Sequence, residues 1–206
     1  MTHVKICGVT SVSDATESVK LGARSIGLNF VPASPRCITV ERAREIARAV
    51  HTIGTRLVVV GVVADMSEEA LRALVKDAEL DCLQLHGDEP PDALLPFLPH
   101  AYKAVRIADA ADVARARVYP GEHILVDAKV EGALGGTGAS FDWSLVEDLA
   151  HERKLTLAGG LNPNNVAEAV RAIGPYCVDV ASGVESAPGV KDLEKVRAFI
   201  TNVKSA

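Results

Sequence analysis

"VDVASG", residues 178–183, is the last of eight short β-branched runs in this chain, and its presence decides the fold. Read backward, the others are LTLAGG (155–160), HILVDA (123–128), YKAVRI (102–107), CLQLHG (82–87), RLVVVGVVA (56–64), SIGLNF (25–30) and VKICGV (4–9). They recur about every 25 residues, the length of one minimal strand-helix unit. An open doubly wound sheet ends at about five or six strands. Eight alternating units without a break in composition are therefore expected to close an α/β architecture, a (β/α)₈ TIM barrel, with residues 1–206 as a single domain.

The segments between the runs carry the 3.6 period. Ala43, Ile46, Ala47 and Val50 share one face of "ERAREIARAV". Val166, Ala169, Val170 and Ile173 do so next, with Gly174 as the expected stop. Val196, Phe199, Ile200 and Val203 repeat the pattern. The segment around Leu94 is short and flanked by prolines, and is the weakest helical signal.

Composition narrows the function. Hydrophobic residues make up 48% of the chain, enough for a sizeable core. The net charge is −5 with no basic stripe, and aromatics are 4%, which argues against a nucleic-acid partner. The four cysteines, Cys7, Cys37, Cys82 and Cys177, are far apart and form no zinc spacing, so a reducing compartment and no metal site are expected. No apolar run approaches the ~20 residues of a membrane span. The N-terminus enters a strand directly, so no signal peptide and a cytoplasmic location are expected. Helix faces turned outward are mostly charged, which favours a monomer over a homodimer.

A (β/α)₈ barrel works at the C-terminal ends of its strands. There the chain offers Cys7, then Gln84 and His86, then Asp127, with Asp179 on the last strand. Strand alternation turns Lys5 to the same side as Cys7. A lysine inside a barrel needs a partner, expected to be Asp179 or Asp127. Cys7 itself reads either as a small buried hydrophobe or as a base. His86 reads either as a hydrogen-bonded core histidine or as an acid, base or donor.

The last two strands end in Gly159-Gly160 and Ser182-Gly183, and their backbone amides are expected to cradle a phosphate. "FVPASPRCI" (30–38) sets Arg36 on the rim, where a guanidinium can grip a planar carboxylate with two hydrogen bonds. "GALGGTG" (132–138) lacks the GK[ST] of a P-loop and reads either as a mobile loop beside Asp127 or as an ordinary surface loop.

Six blocks together, KICGVT (5–10), FVPASPRCI, QLHGDE (84–89), LVDA…GGTGASFDW (125–143), LAGGLNPNNV (157–166) and VDVASGVESAPGVKD (178–192), resemble the phosphoribosylanthranilate isomerase family of tryptophan biosynthesis. They stand in the family's order and span almost the whole chain. The resemblance implies an Amadori rearrangement of N-(5-phosphoribosyl)anthranilate, a phosphorylated sugar substrate, without cofactor. It implies Asp127 as general acid and Cys7 as general base. It also implies Arg36 at the anthranilate part, Asp179 near the sugar hydroxyls, and Gly159, Gly160, Ser182 and Gly183 at the phosphate. The chain departs from the family's usual pattern at Val31 and at GVV (61–63), on the pocket wall rather than at the acid or base. A histidine-pathway isomerase would call for an aspartate where Cys7 stands. A catalytically dead phospho-sugar binder would be expected to lose Cys7 or Asp127, and both are present.

Overall fold

A computed structural model describes residues 1–54, 57–127 and 144–206. Eight parallel strands close a barrel: β1 (His3–Cys7), β2 (Ser25–Asn29), β3 (Val58–Val63), β4 (Cys82–Leu85), β5 (Ala101–Arg106), β6 (His123–Asp127), β7 (Lys154–Ala158) and β8 (Cys177–Val180). Each pairs with the next, and β8 closes on β1 with Lys5 opposite Asp179. The eight sequence runs and the eight strands coincide to within a few residues.

Around the barrel lie α1 (Val12–Leu21), α2 (Val40–Ile53), α3 (Glu68–Asp77), α4 (Ala110–Arg117), α5 (Ser144–Glu152), α6 (Val166–Ile173) and α7 (Leu193–Lys204). Local chemistry starts and stops them. The side chains of Ser11, Thr39, Ser67, Asp109 and Asp192 accept hydrogen bonds from the first-turn amides of α1, α2, α3, α4 and α7. Gly174 ends α6 in the left-handed conformation, as expected. Every apolar stripe residue predicted for α2, α6 and α7 is buried, so the main core lies between strands and helices. The segment around Leu94 is a 3₁₀ helix, Pro91–Phe97, rather than an α-helix. Pro96 lies inside it, where a missing N–H and a bulky ring oppose α geometry.

The barrel interior holds a second, smaller apolar cluster: Val60, Tyr102, Ala104, Leu125 and Ala158. Beside it lie the buried polar side chains of Lys5, Gln84, Thr156 and Asp179. After β8 the chain makes one 3₁₀ turn, Ser182–Val184, and then an antiparallel hairpin of β9 (Glu185–Ala187) and β10 (Val190–Lys191). Gly189, at φ +83°, supplies the positive φ of the hairpin turn. Among the described residues no helix is long and apolar enough to cross a membrane.

Candidate active site

Side-chain alternation puts Lys5 and Cys7 on the inner face of β1. The Lys5 ammonium lies 2.8 Å from Asp179 Oδ2, 2.6 Å from Gln84 Oε1 and 3.5 Å from Cys7 Sγ. Of the two partners foreseen for Lys5, Asp179 is the one it meets. The neighbouring strand makes room for this. A Cβ at Gly27 of β2 would come within 2.6 Å of the Cys7 sulfur and 3.1 Å of Lys5 Cε.

Burial works against the charge on Lys5, but Asp179, Cys7 and Tyr102 outweigh it and hold its pKa well above the ordinary lysine value. Burial pushes the Cys7 thiol up, and the Asp179 charge adds to this. Lys5 and Lys191 pull it down. The net direction is upward, so the free site holds a thiol rather than a thiolate.

Gln84 Oε1 accepts from Lys5 and, at 3.1 Å, from the Tyr102 hydroxyl. Its amide nitrogen is thereby turned to His86 Nδ1, 3.2 Å away. His86 is held below the ordinary histidine pKa by burial, with Asp127 opposing and Lys103, Lys5 and Arg106 reinforcing the effect. A neutral imidazole that accepts at Nδ1 keeps its proton on Nε2, as a donor.

Cys7, Arg36, Gln84, His86, Asp127, Gly159, Gly160, Asp179, Ser182 and Gly183 all line one pocket at the C-terminal mouth of the barrel. Gly159 and Gly160 have φ of +95° and +68°. Asn162 and Asn165 hold the Gly160 carbonyl, at 3.3 Å and 3.1 Å. A side chain at Gly183 would run into the Leu161 carbonyl, so the two glycine loops pack backbone to backbone. Asp179 Oδ1 is buried and has no hydrogen-bond partner among the described residues. The GALGGTG segment lies outside the described residues.

Arg36 reaches the pocket, and one edge of its guanidinium is held by a carboxylate of the protein itself. Its Nε and Nη2 donate to Glu185, at 2.8 Å and 2.5 Å. Glu185 also accepts from Lys191 Nζ at 2.7 Å, and Lys191 donates in turn to the Cys7 carbonyl at 2.6 Å. Burial raises the Glu185 pKa, but the bonds from Arg36 and Lys191 prevail and bring it to about 2. Neither Glu185 nor Lys191 was singled out from sequence. The turn-forming Pro188-Gly189 between them was the available signal of a hairpin folding back over the strand ends.

Among the described residues no group of three or more His, Cys, Asp or Glu side chains is placed to hold a metal. What the pocket offers is an acid candidate, a sulfur candidate and side-chain-free backbone in the two loops that such barrels use for phosphate. Those features define a (β/α)₈-barrel enzyme for a small anionic substrate.

Comparison with known proteins takes the class to a family. The model of the N-(5'-phosphoribosyl)anthranilate isomerase family matches residues 4–202, and the chain belongs to that family. It is 47% identical over 207 residues to the isomerase of Myxococcus xanthus, covering 98% of this chain and 96% of that one. It is 46% identical over 206 residues to that of Pseudomonas aeruginosa, covering 98% and 95%. The crystal structure of the Thermotoga maritima phosphoribosylanthranilate isomerase superposes with a TM-score of 0.89 over 100% of both chains at 38% identity. A second crystal structure, at 36% identity and a TM-score of 0.87 over 100% of both chains, holds reduced 1-(o-carboxyphenylamino)-1-deoxyribulose 5-phosphate. The chain is an isomerase of tryptophan biosynthesis.

Proposed function

We propose that Asp127 and Cys7 divide the acid and base work of the isomerisation of N-(5'-phosphoribosyl)anthranilate to 1-(2-carboxyphenylamino)-1-deoxyribulose 5-phosphate. The observation that carries this reading is that both side chains line one pocket, with the Lys5 ammonium 3.5 Å from the Cys7 sulfur.

Asp127 gives a proton to the ribose ring oxygen as the C1–O bond breaks, and the aniline nitrogen lone pair forms the C1=N iminium. Cys7 then takes the C2 proton. The C–H electron pair becomes the C1=C2 bond of an enolamine, and the iminium is the electron sink. Tautomerisation gives the ketone. Because the resting sulfur is a thiol, it first releases its proton to solvent, and the positive iminium, Lys5 and Lys191 together favour the thiolate that then takes the C2 proton.

The rest of the pocket binds and orients. Asp179 Oδ1 accepts from a sugar hydroxyl. The backbone at Gly159, Gly160, Ser182 and Gly183 holds the phosphate. Arg36 meets the anthranilate part, and the His86 Nε2–H and Gln84 hold the polar middle.

The decay of anthranilate fluorescence with freshly made substrate tests the scheme. Wild type consumes the substrate, while Cys7→Ala and Asp127→Asn each lose at least about 10³-fold in kcat. Near-full activity in either variant removes that residue from its role.

A further inference from the structure

The hairpin of β9 and β10 ties three strand ends together. Lys191, whose side chain is fully buried, donates to the carbonyls of Cys7 after β1, at 2.6 Å, and Ala181 after β8, at 3.4 Å. Glu185, 5% exposed, receives Lys191 on one side and Arg36, from the loop after β2, on the other. Only Arg36, 20% exposed, opens to the pocket. One end of this network is therefore anchored in the fold and the other faces the pocket.

A guanidinium carries five N–H donors in a rigid plane. Glu185 takes Nε and one hydrogen of Nη2, the side-on edge. Among the described residues none takes the end-on edge, Nη1 and the outer hydrogen of Nη2. That edge can hold a second carboxylate with two parallel bonds, and its direction is set by the first. The stem of Arg36 is fixed as well. It lies in the notch left by Gly8, whose φ is +69° and where a Cβ would collide with Arg36 Cδ.

We propose that Glu185 is a specificity-determining positioning residue: by holding one edge of Arg36 it aims the other into the pocket, and so selects a substrate that carries an aromatic carboxylate over the same phospho-sugar without one. This rests on the reading above that Arg36 meets the anthranilate part. Charge and aim act with opposite signs here. As a negative charge beside Arg36, Glu185 repels an incoming carboxylate. As the partner that orients the fork, it favours one.

The test uses two stable ligands, the reduced carboxyphenylamino product and its phenylamino counterpart lacking the carboxylate. Their Kd values are measured by titration calorimetry on wild type, Glu185→Gln and Glu185→Asp. Gln puts an amide NH₂ against donors. Asp keeps the charge but draws the carboxylate back by one methylene.

In both variants the Kd of the carboxylated ligand is expected to rise about tenfold, while that of the other moves less than about twofold. Equal weakening of both ligands would make Glu185 a structural residue and overturn the proposal. Tighter binding of the carboxylated ligand by Glu185→Gln would do so too, by showing that charge outweighs aim. If Glu185→Gln does not fold, Glu185→Asp, which keeps a charge for Lys191, decides alone. Wild type binding neither ligand would instead reject the functional reading itself.

Discussion

Lys5 and Lys103 are both buried, 2% and 3% exposed, and each faces a buried carboxylate, Asp179 at 2.8 Å and Glu89 at 3.0 Å. Around Lys103 the remaining valences close on the protein. Its ammonium also donates to the carbonyls of Leu85 and Gly87, at 3.3 Å and 2.5 Å, and Glu89 accepts from the Asp65 amide at 2.8 Å. Around Lys5 one stays open among the described residues: Asp179 Oδ1 has no partner there, and the third neighbour of the ammonium is a sulfur. Two ion pairs of similar burial thus differ in completeness. The complete one holds the loop after β4 in place. The incomplete one reaches the pocket through Asp179.

The largest effect expected from this contrast is on stability. Lys103→Met leaves Glu89 buried and unpaired and should lower the unfolding free energy by about 3–5 kcal/mol in urea, with kcat per folded molecule within about twofold of wild type. Removing whole pairs separates the roles more sharply. Lys5→Met/Asp179→Asn should fold yet lose about 100-fold in kcat, whereas Lys103→Met/Glu89→Gln should keep its turnover. A matched loss in both double variants would break the comparison.

Cys7 alkylation by iodoacetamide reads the Lys5 side directly. Lys5 favours the thiolate, so Lys5→Gln should move the pH midpoint of alkylation upward from the wild-type position. An unmoved midpoint would leave Lys5 with no hold on the sulfur.

A further effect lies at the other end of the barrel. Burial lowers the His123 pKa to about 4, with Lys5, Lys154 and Arg153 adding to the shift. The ring stacks on Tyr102 at 4.1 Å and bonds Thr156 Oγ1 at 2.6 Å. Between about pH 6.5 and pH 4 the unfolded chain takes up a proton that the folded one refuses. The His123 contribution to stability should therefore fall as the pH drops through that window and level off below it. His123→Gln should flatten the slope in urea titrations at several pH values.

The barrel was legible because it rests on period. Eight β-branched runs and three apolar stripes are properties of neighbouring residues, and local sequence carries them. The pocket's membership was legible for a second reason: the barrel rule converts the end of a strand into a place at the mouth. Arg36 shows where this runs out. Its loop and its approach to the pocket could be read, but the carboxylate holding it comes from 149 residues further along, on a hairpin two and three residues long. No periodicity marks strands that short, and no spacing rule joins residues so distant. The 3₁₀ segment around Leu94 failed differently: prolines and apolar residues fit either helix type, and Pro96 decides only once the backbone is built.

Lys5 and Asp179 lie opposite each other across the β1–β8 seam and 174 residues apart in the chain. During synthesis Lys5 leaves the ribosome 174 residues ahead of its counter-ion. Until β8 docks, a docked β1 would hold a buried ammonium without a counter-ion, a state that favours leaving β1 undocked. The Lys5–Asp179 bond thus acts as a check on assembly: only a chain whose β8 has closed the ring has a charge-balanced centre, and a fragment released before β8 has none.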